Sequence, residues 1–224
     1  MTHIVHPLAH RLGIIRDWKS RWFGSGREKY TRFLKSDVLL VQYLTKRLRG
    51  LYIAGIEIER NEKMLRIIIK TSRPGMIIGR SGEGALKLRA DLLKEAKRVK
   101  VFVPEQLKID IEEMRYPEGN AAIVSQMIAE GLEKRMPFRR IMKQTLDKVM
   151  ANRDVKGARI MVSGRLGGAE MSRKEQAKGG SIPLQTLRAD VEFAREKAYL
   201  PYGVLGIKVW IYKGEVFDDQ KNKK

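Results

Sequence analysis

A chain of 224 residues, 43% of them hydrophobic, has enough apolar material for two small domains. Its 46 Lys and Arg against 26 Asp and Glu leave a formal charge of +20, which favours a polyanionic partner, nucleic acid before anionic membrane. The absence of cysteine excludes disulfides and thiolate metal sites. No run reaches the roughly 20 apolar residues of a membrane span, and "MTHIVHPLAHRLGIIRDW" lacks an export-signal pattern, so a soluble, unexported protein is expected.

Residues 1–35 carry eight Lys or Arg against Asp17 and Glu28, and read as a basic arm. Its aromatics Trp18, Trp22 and Phe23 can stack on bases or anchor the arm, and anchoring needs no ligand. Asp37 stands where a cap would start a helix to about Gly50, because Val38, Val41, Leu44, Thr45 and Leu48 repeat at helical spacing. "GIEIER" at Gly55–Arg60 and "MLRIIIKT" at Met64–Thr71 alternate apolar with charged residues and predict a hairpin through "RNEK". The carboxylates Glu57 and Glu59, like Asp110 and Glu112 further on, fall on the outward phase of their strands, where solvent is the default neighbour. A short helix at Pro74–Ile78, a glycine loop at Gly79–Gly82 and a helix from Glu83 to about Val99 follow, with Ala85, Leu88, Leu92 and Ala96 on one face. "LKIDIEEM" at Leu107–Met114 closes the unit as a third strand under helices.

"RYPEGN" reads as a linker. Beyond it, helices are predicted over Ala121–Met136 and Phe138–Ala151, and strands over Ala158–Arg165, Leu187–Phe193 and Gly206–Tyr212. The expected organisation is α+β: an arm at 1–35, a first domain at 36–116, a second at 117–216 and a loose polar tail at 217–224.

Two basic elements carry the functional reading. In "GRSG", Gly79 and Gly82 have no Cβ to hold a phosphodiester away, Arg80 adds charge, Ser81 a hydroxyl, and the next helix start offers backbone N–H groups. Gly-x-x-Gly is weak by itself, but strand, short helix, glycine loop, helix, strand is the order of a KH module, whose loop clamps single-stranded nucleic acid. No G-x-x-x-x-G-K-[ST] and no G-x-G-x-x-G after a strand is present, so a nucleotide pocket is disfavoured. In "MPFRRIMKQTLDKVMAN", with about 100° per residue and Arg139 at zero, Arg140 lies near 100° and Lys143 near 40°, whereas Ile141, Met142, Thr145, Leu146 and Val149 lie between roughly 200° and 340°. With Lys134 and Arg135 just upstream, ten basic residues from Lys134 to Arg165 meet two acids, Asp147 and Asp154. An ordinary solvated helix mixes signs at i, i+4, and this one does so at a single pair, Lys143 with Asp147.

Other constellations say less. "SGRLGGAEMSR" at Ser163–Arg173 is either a strand-end turn or a phosphate-approaching loop carrying Arg165. His3, His6 and His10 have usable metal spacing but lie in the arm with no fourth histidine. No Ser-His-Asp set forms without them. No catalytic residue, cofactor or metal is expected.

The stretches "RLGIIRDWKSRWF", "IEIER", "RPGMIIGRSGE", "MPFRRIMKQ", "SGRLGGAEMSR", "PLQTLRAD" and "YGVLGIKVWIYKGE", in this order over about residues 4–216, make the chain resemble the bacterial-type small-subunit ribosomal protein family numbered three. The resemblance implies an N-terminal type II KH domain and a C-terminal α+β domain, and a structural, non-enzymatic place in the ribosome of a bacterium or organelle. Its implied partners are small-subunit rRNA of the head, mRNA at the entrance, and neighbouring proteins numbered four, five, ten and fourteen, without a membrane. The basic helix residues at that entrance correspond to Arg139, Arg140 and Lys143, and are credited with helping to open mRNA structure. The alternative is a free KH-type RNA-binding regulator or assembly factor.

Overall fold

The computed structural model describes residues 5–61, 63–100, 102–104 and 106–217; His3 and the tail beyond Phe217 lie outside them. The chain divides into two compact units, Trp18–Arg115 on one hand and Met1–Asp17 joined to Tyr116–Lys224 on the other. The stretch expected as an arm is therefore shared: its part up to Asp17, with the short helix α1 (Pro7–Arg11), belongs to the second unit, and its part from Trp18 to the first.

In the first unit, β1 (Ser20–Arg21) leads into the long helix α2 (Arg27–Arg47) and a hairpin of β2 (Ile53–Arg60) and β3 (Met64–Thr71). α3 (Pro74–Ile78), the glycine loop and α4 (Glu83–Arg98) then bring the chain to β4 (Gln106–Glu113). The sheet order is β1-β2-β3-β4, antiparallel between β2 and β3 and parallel at both edges. Period-two alternation sends Ile58, Leu65, Ile67, Ile69 and Leu107 to one face, where Leu40 and Leu44 of α2 and Leu88 and Leu92 of α4 bury them. The opposite face is an ion-pair lattice: Arg66 bridges Glu59 and Asp110, and Lys70 bridges Glu57 and Glu112. The outward carboxylates are thus paired across strands.

Asp37 corrects a sequence expectation. It caps nothing: α2 begins ten residues earlier at Arg27, and Asp37 is 3% exposed in mid-helix. Its carboxylate accepts from Arg60 Nη2 at 2.6 Å and from Trp22 Nε1 at 2.7 Å. The same Arg60 nitrogen donates to Ser36 Oγ, whose hydroxyl donates to the carbonyl of Phe102. Arg60 itself lies 4.8 Å from the centre of the Phe33 ring, and the Trp22 ring meets Tyr30 and Phe33. Trp22 is thereby an anchor; Trp18 and Phe23 remain exposed.

The second unit packs α5 (Ala121–Glu133) and α6 (Phe138–Met150) on one face of an antiparallel sheet. Its strands are β5 (Gly157–Gly164), β6 (Arg173–Gly180), β7 (Ala189–Leu200) and β8 (Gly203–Glu215), in the order β6-β5-β8-β7. β6 falls outside the expected strands, because "RKEQAKGG" has no apolar phase; as an edge strand it buries little and needs none. β7 and β8 also run longer than expected. The core joins Ile128, Leu132, Ile141 and Val149 of the helices to Ile160, Val162, Ile207 and Val209 of the strands.

Arg11 ties the described N-terminal residues to this unit. It is 0% exposed and donates to the carbonyls of Pro7, Pro183, Leu184, Thr186 and Ala189, the last at 2.5 Å. A guanidinium taken out of water needs acceptors for all its donors, and a loop carbonyl cluster supplies them. Burial holds its pKa below the ordinary value, against the pull of Asp190. Arg16 adds an ion pair to Asp190 at 2.6 Å. Through these contacts "RLGIIRDW" and "PLQTLRAD", distant in sequence, meet.

Candidate nucleic-acid interface

The glycine loop joins α3 to α4 through a single 3-10 turn at Arg80–Gly82. Gly79 and Gly82 have φ of 70° and 83°, and Ser81 also sits in the left-handed region at 51°. Only residues without Cβ crowding hold this conformation cheaply, so the glycines fix the turn. A third glycine makes the approach of α3 possible: a Cβ on Gly84 would stand 2.5 Å from the carbonyl oxygen of Ile77. Arg80 and Ser81 are exposed; the N–H of Glu83 closes the turn onto the carbonyl of Arg80, and no side chain caps the start of α4. Met76 and Ile78 of α3 and Leu86 of α4 leave apolar surface exposed beside the loop.

In the other unit, Asn120 caps α5 through the N–H groups of Ala122 and Ile123, and Arg135 ends it in a left-handed conformation at φ 59°. Pro137 then starts α6. Ile141, Met142 and Val149 are buried, Thr145 and Leu146 are half-buried, and Arg139, Arg140 and Lys143 are exposed, as the helical phase requires. Lys134 and Arg135 are exposed at the preceding turn, Lys134 paired with Glu130 at 2.6 Å.

Two predicted residues have partners that sequence spacing does not reveal. Arg139 donates from Nε and Nη2 to Glu175 of β6, and Arg173 pairs with the same carboxylate at 3.2 Å. Both guanidinium carbons lie 5.7 Å from the centre of the Phe138 ring. The hydrogen bonds from Arg139 hold the Glu175 carboxyl below its ordinary pKa, against the opposing effect of desolvation. The cationic face of α6 therefore extends onto β6 through Arg173, with Glu175 as a brace. Arg165 donates to the carbonyls of Gly168, Ala169 and Tyr202, so its guanidinium shapes the glycine-rich loop. That loop leaves Met171 exposed. Arg140 and Lys143 make no ion pair among the described residues, Asp147 included.

The loop residues Gly79–Gly82 belong to the first unit, and Lys134, Arg135, Arg139, Arg140, Lys143 and Arg165 to the second. Among the described residues no group of three or more His, Asp or Glu could hold a metal ion, and no helix is long and apolar enough to cross a membrane.

Comparison with known proteins matches both units. Residues 40–118 match the KH domain family, and residues 128–211 match the family "Ribosomal protein S3, C-terminal domain". The chain is 43% identical to the small ribosomal subunit protein uS3 of Caldicellulosiruptor saccharolyticus, over 96% of this chain and 94% of that one. It is 45% identical to the uS3 of Ectopseudomonas mendocina, over 96% and 91%. Against the longer uS3 of Solibacter usitatus it is 44% identical over its full length, which covers 62% of that relative.

Proposed function

Because the chain belongs to the uS3 family of small ribosomal subunit proteins, we propose that it is a structural constituent of that subunit which binds rRNA in the head and lines the mRNA entrance. The observation that carries this reading is the chemistry of α6: its exposed side is cationic and its other side is core. Contacts from guanidinium and ammonium groups to phosphate carry no sequence information, which suits a passage for every message. Arg139, Arg140 and Lys143 hold separated strands electrostatically, while movement of the ribosome supplies the work. The protein is a scaffold with no bond-breaking step of its own.

The Gly79–Gly82 loop is the first unit's RNA contact. Its glycines admit the backbone, Arg80 supplies charge, and the start of α4, which no side chain caps, favours a phosphate oxygen. Replacing Arg80 and Ser81 by Asp places two carboxylates at that turn. The expected result is weaker association of the full chain with single-stranded RNA and a salt dependence shallower by about 0.7 for each phosphate no longer neutralised. Full retention of both would show that the loop is only an interhelical turn.

Gradient sedimentation of a source lysate separates the ribosomal role from that of a free RNA-binding regulator. One copy per small subunit, retained through a high-salt wash, is expected. Recovery mainly in slow fractions or on a limited set of transcripts would favour the regulator.

A further inference from the structure

Alternation along the strands of the second unit gives its sheet two faces of different chemistry. One is the apolar face under α5 and α6. The other is divided along its length. At one end Val191, Phe193, Trp210 and Tyr212 are covered, with Ile182 and Leu184 packed on them and the His6 ring set edge to face on Phe193, ring centres 4.8 Å apart. The other end is uncovered and presents Arg159, Lys174, Lys178, Arg195, Lys197 and Lys208, all exposed except the half-buried Arg159. No Asp or Glu stands at an outward position in the stretches 159–163, 174–178, 195–199 or 204–208.

Strand register sets these cations against one another. Arg159 is directly opposite Lys178, and Arg195 directly opposite Lys208. Like charges facing each other across strands destabilise a sheet. The sheet of the first unit sets Glu59 opposite Arg66 and Lys70 opposite Glu112, and where Arg66 faces Lys108 the carboxylate of Asp110 pairs with both. Arg159 donates to Gln176 Oε1 and lies 5.1 Å from the centre of the Trp210 ring, but neither partner carries a negative charge, so a polyanion covering this face stabilises both cation pairs. At its edge Ser163, Gly164, Ser172, Lys174 and Gly206 border an open cavity of about 620 Å³ that Arg173, the cation braced by Glu175, also lines, and its hydroxyls and bare backbone leave room for a phosphate or a ribose hydroxyl.

We propose that this cationic end of the second sheet is an RNA-docking surface, distinct from the cationic side of α6, which seats the sugar-phosphate backbone of structured small-subunit rRNA. The inference rests on the ribosomal reading above and assigns the second unit's rRNA contact to a particular face. Docking there relieves both like-charge pairs at once, so binding and stability are coupled through the same four side chains.

Lys178→Glu with Lys208→Glu tests it, since each change turns a repulsive cross-strand pair into an attractive one. In the full chain the double variant is expected to melt at or above the wild-type temperature. Its affinity for a small-subunit rRNA transcript at 0.2 M salt falls about tenfold or more, and the slope of log K against log salt is shallower by about 2. R139A/R140A/K143A is measured beside it. If the sheet variant keeps wild-type affinity and slope, the proposal is overturned and the ribosomal reading stands. Unchanged rRNA affinity with failed incorporation into subunits would assign the face to an acidic protein and overturn it equally. If the wild-type chain does not bind the transcript, the ribosomal reading fails and the proposal with it.

Discussion

Replacing Asp37 by alanine is expected to destabilise the first unit by about 3–5 kcal/mol, the typical result of removing one partner from a buried ion pair. Asp37 is 3% exposed and Arg60 4%, and two Arg60 nitrogens, Nε and Nη1, already lack a hydrogen-bond acceptor among the described residues. Without Asp37, Arg60 keeps Ser36 and the Phe33 ring face but no negative charge, and Trp22 Nε1 is left without its acceptor. Burial pushes the Asp37 carboxyl above its ordinary pKa, and Arg60 pulls it back only in part. A carboxyl raised in the folded state favours folding at low pH, and that contribution fades as pH rises toward its folded pKa. The pair is therefore a liability of folding near neutrality that becomes severe when broken. Chemical denaturation of the full chain, followed by hydrogen exchange in α2 and β2, measures the loss. The double variant Asp37→Leu with Arg60→Met is expected to recover a substantial part of it, because apolar replacement of both partners leaves no stranded charge. A loss under about 1 kcal/mol for the single variant would contradict the assignment.

The second large effect concerns translation. R139A/R140A/K143A is expected to enter subunits normally and to slow elongation through stable mRNA hairpins, with little change on unstructured messages. Ile141, Met142 and Val149 keep the core side of α6, so removing exposed cations leaves packing intact. Three fewer neutralised phosphates reduce the salt slope for single-stranded RNA by about 2. Glu175 makes the expectation residue-specific. Arg139 shares this carboxylate with Arg173, so alanine at Arg139 leaves one cation, Arg173, against it, and Arg140 and Lys143 carry most of the effect. Unchanged hairpin transit in the triple variant would contradict the role.

Local periodicity makes much of this legible. The phase of α6, the α3–loop–α4 order and the β2–β3 hairpin all follow from residues within one turn or one strand of each other. What escapes depends on distance in sequence. β6 has no apolar side to betray it, so the partner that Arg139 finds in Glu175 is invisible, as is the cation pair Arg159–Lys178. Asp37 is a residue type that favours caps, and only the fold shows it pointing at Arg60 from mid-helix. Arg11 looks like one more charge of a basic arm, although five carbonyls from α1 and the 183–189 loop enclose it. For Arg165 composition leaves a strand-end turn and a phosphate-approaching loop open, and its bonds to the carbonyls of Gly168, Ala169 and Tyr202 join residues that spacing does not bring together.

The central claim is that a passive cationic scaffold grips RNA through its phosphates. Its most direct test is the equilibrium binding of the purified full chain to small-subunit rRNA across salt concentrations, with and without ATP and magnesium. The account predicts tight binding at low salt, a log–log slope of several negative units and no nucleotide-dependent turnover. Binding that ignores salt, or RNA strand separation that requires ATP, would contradict it.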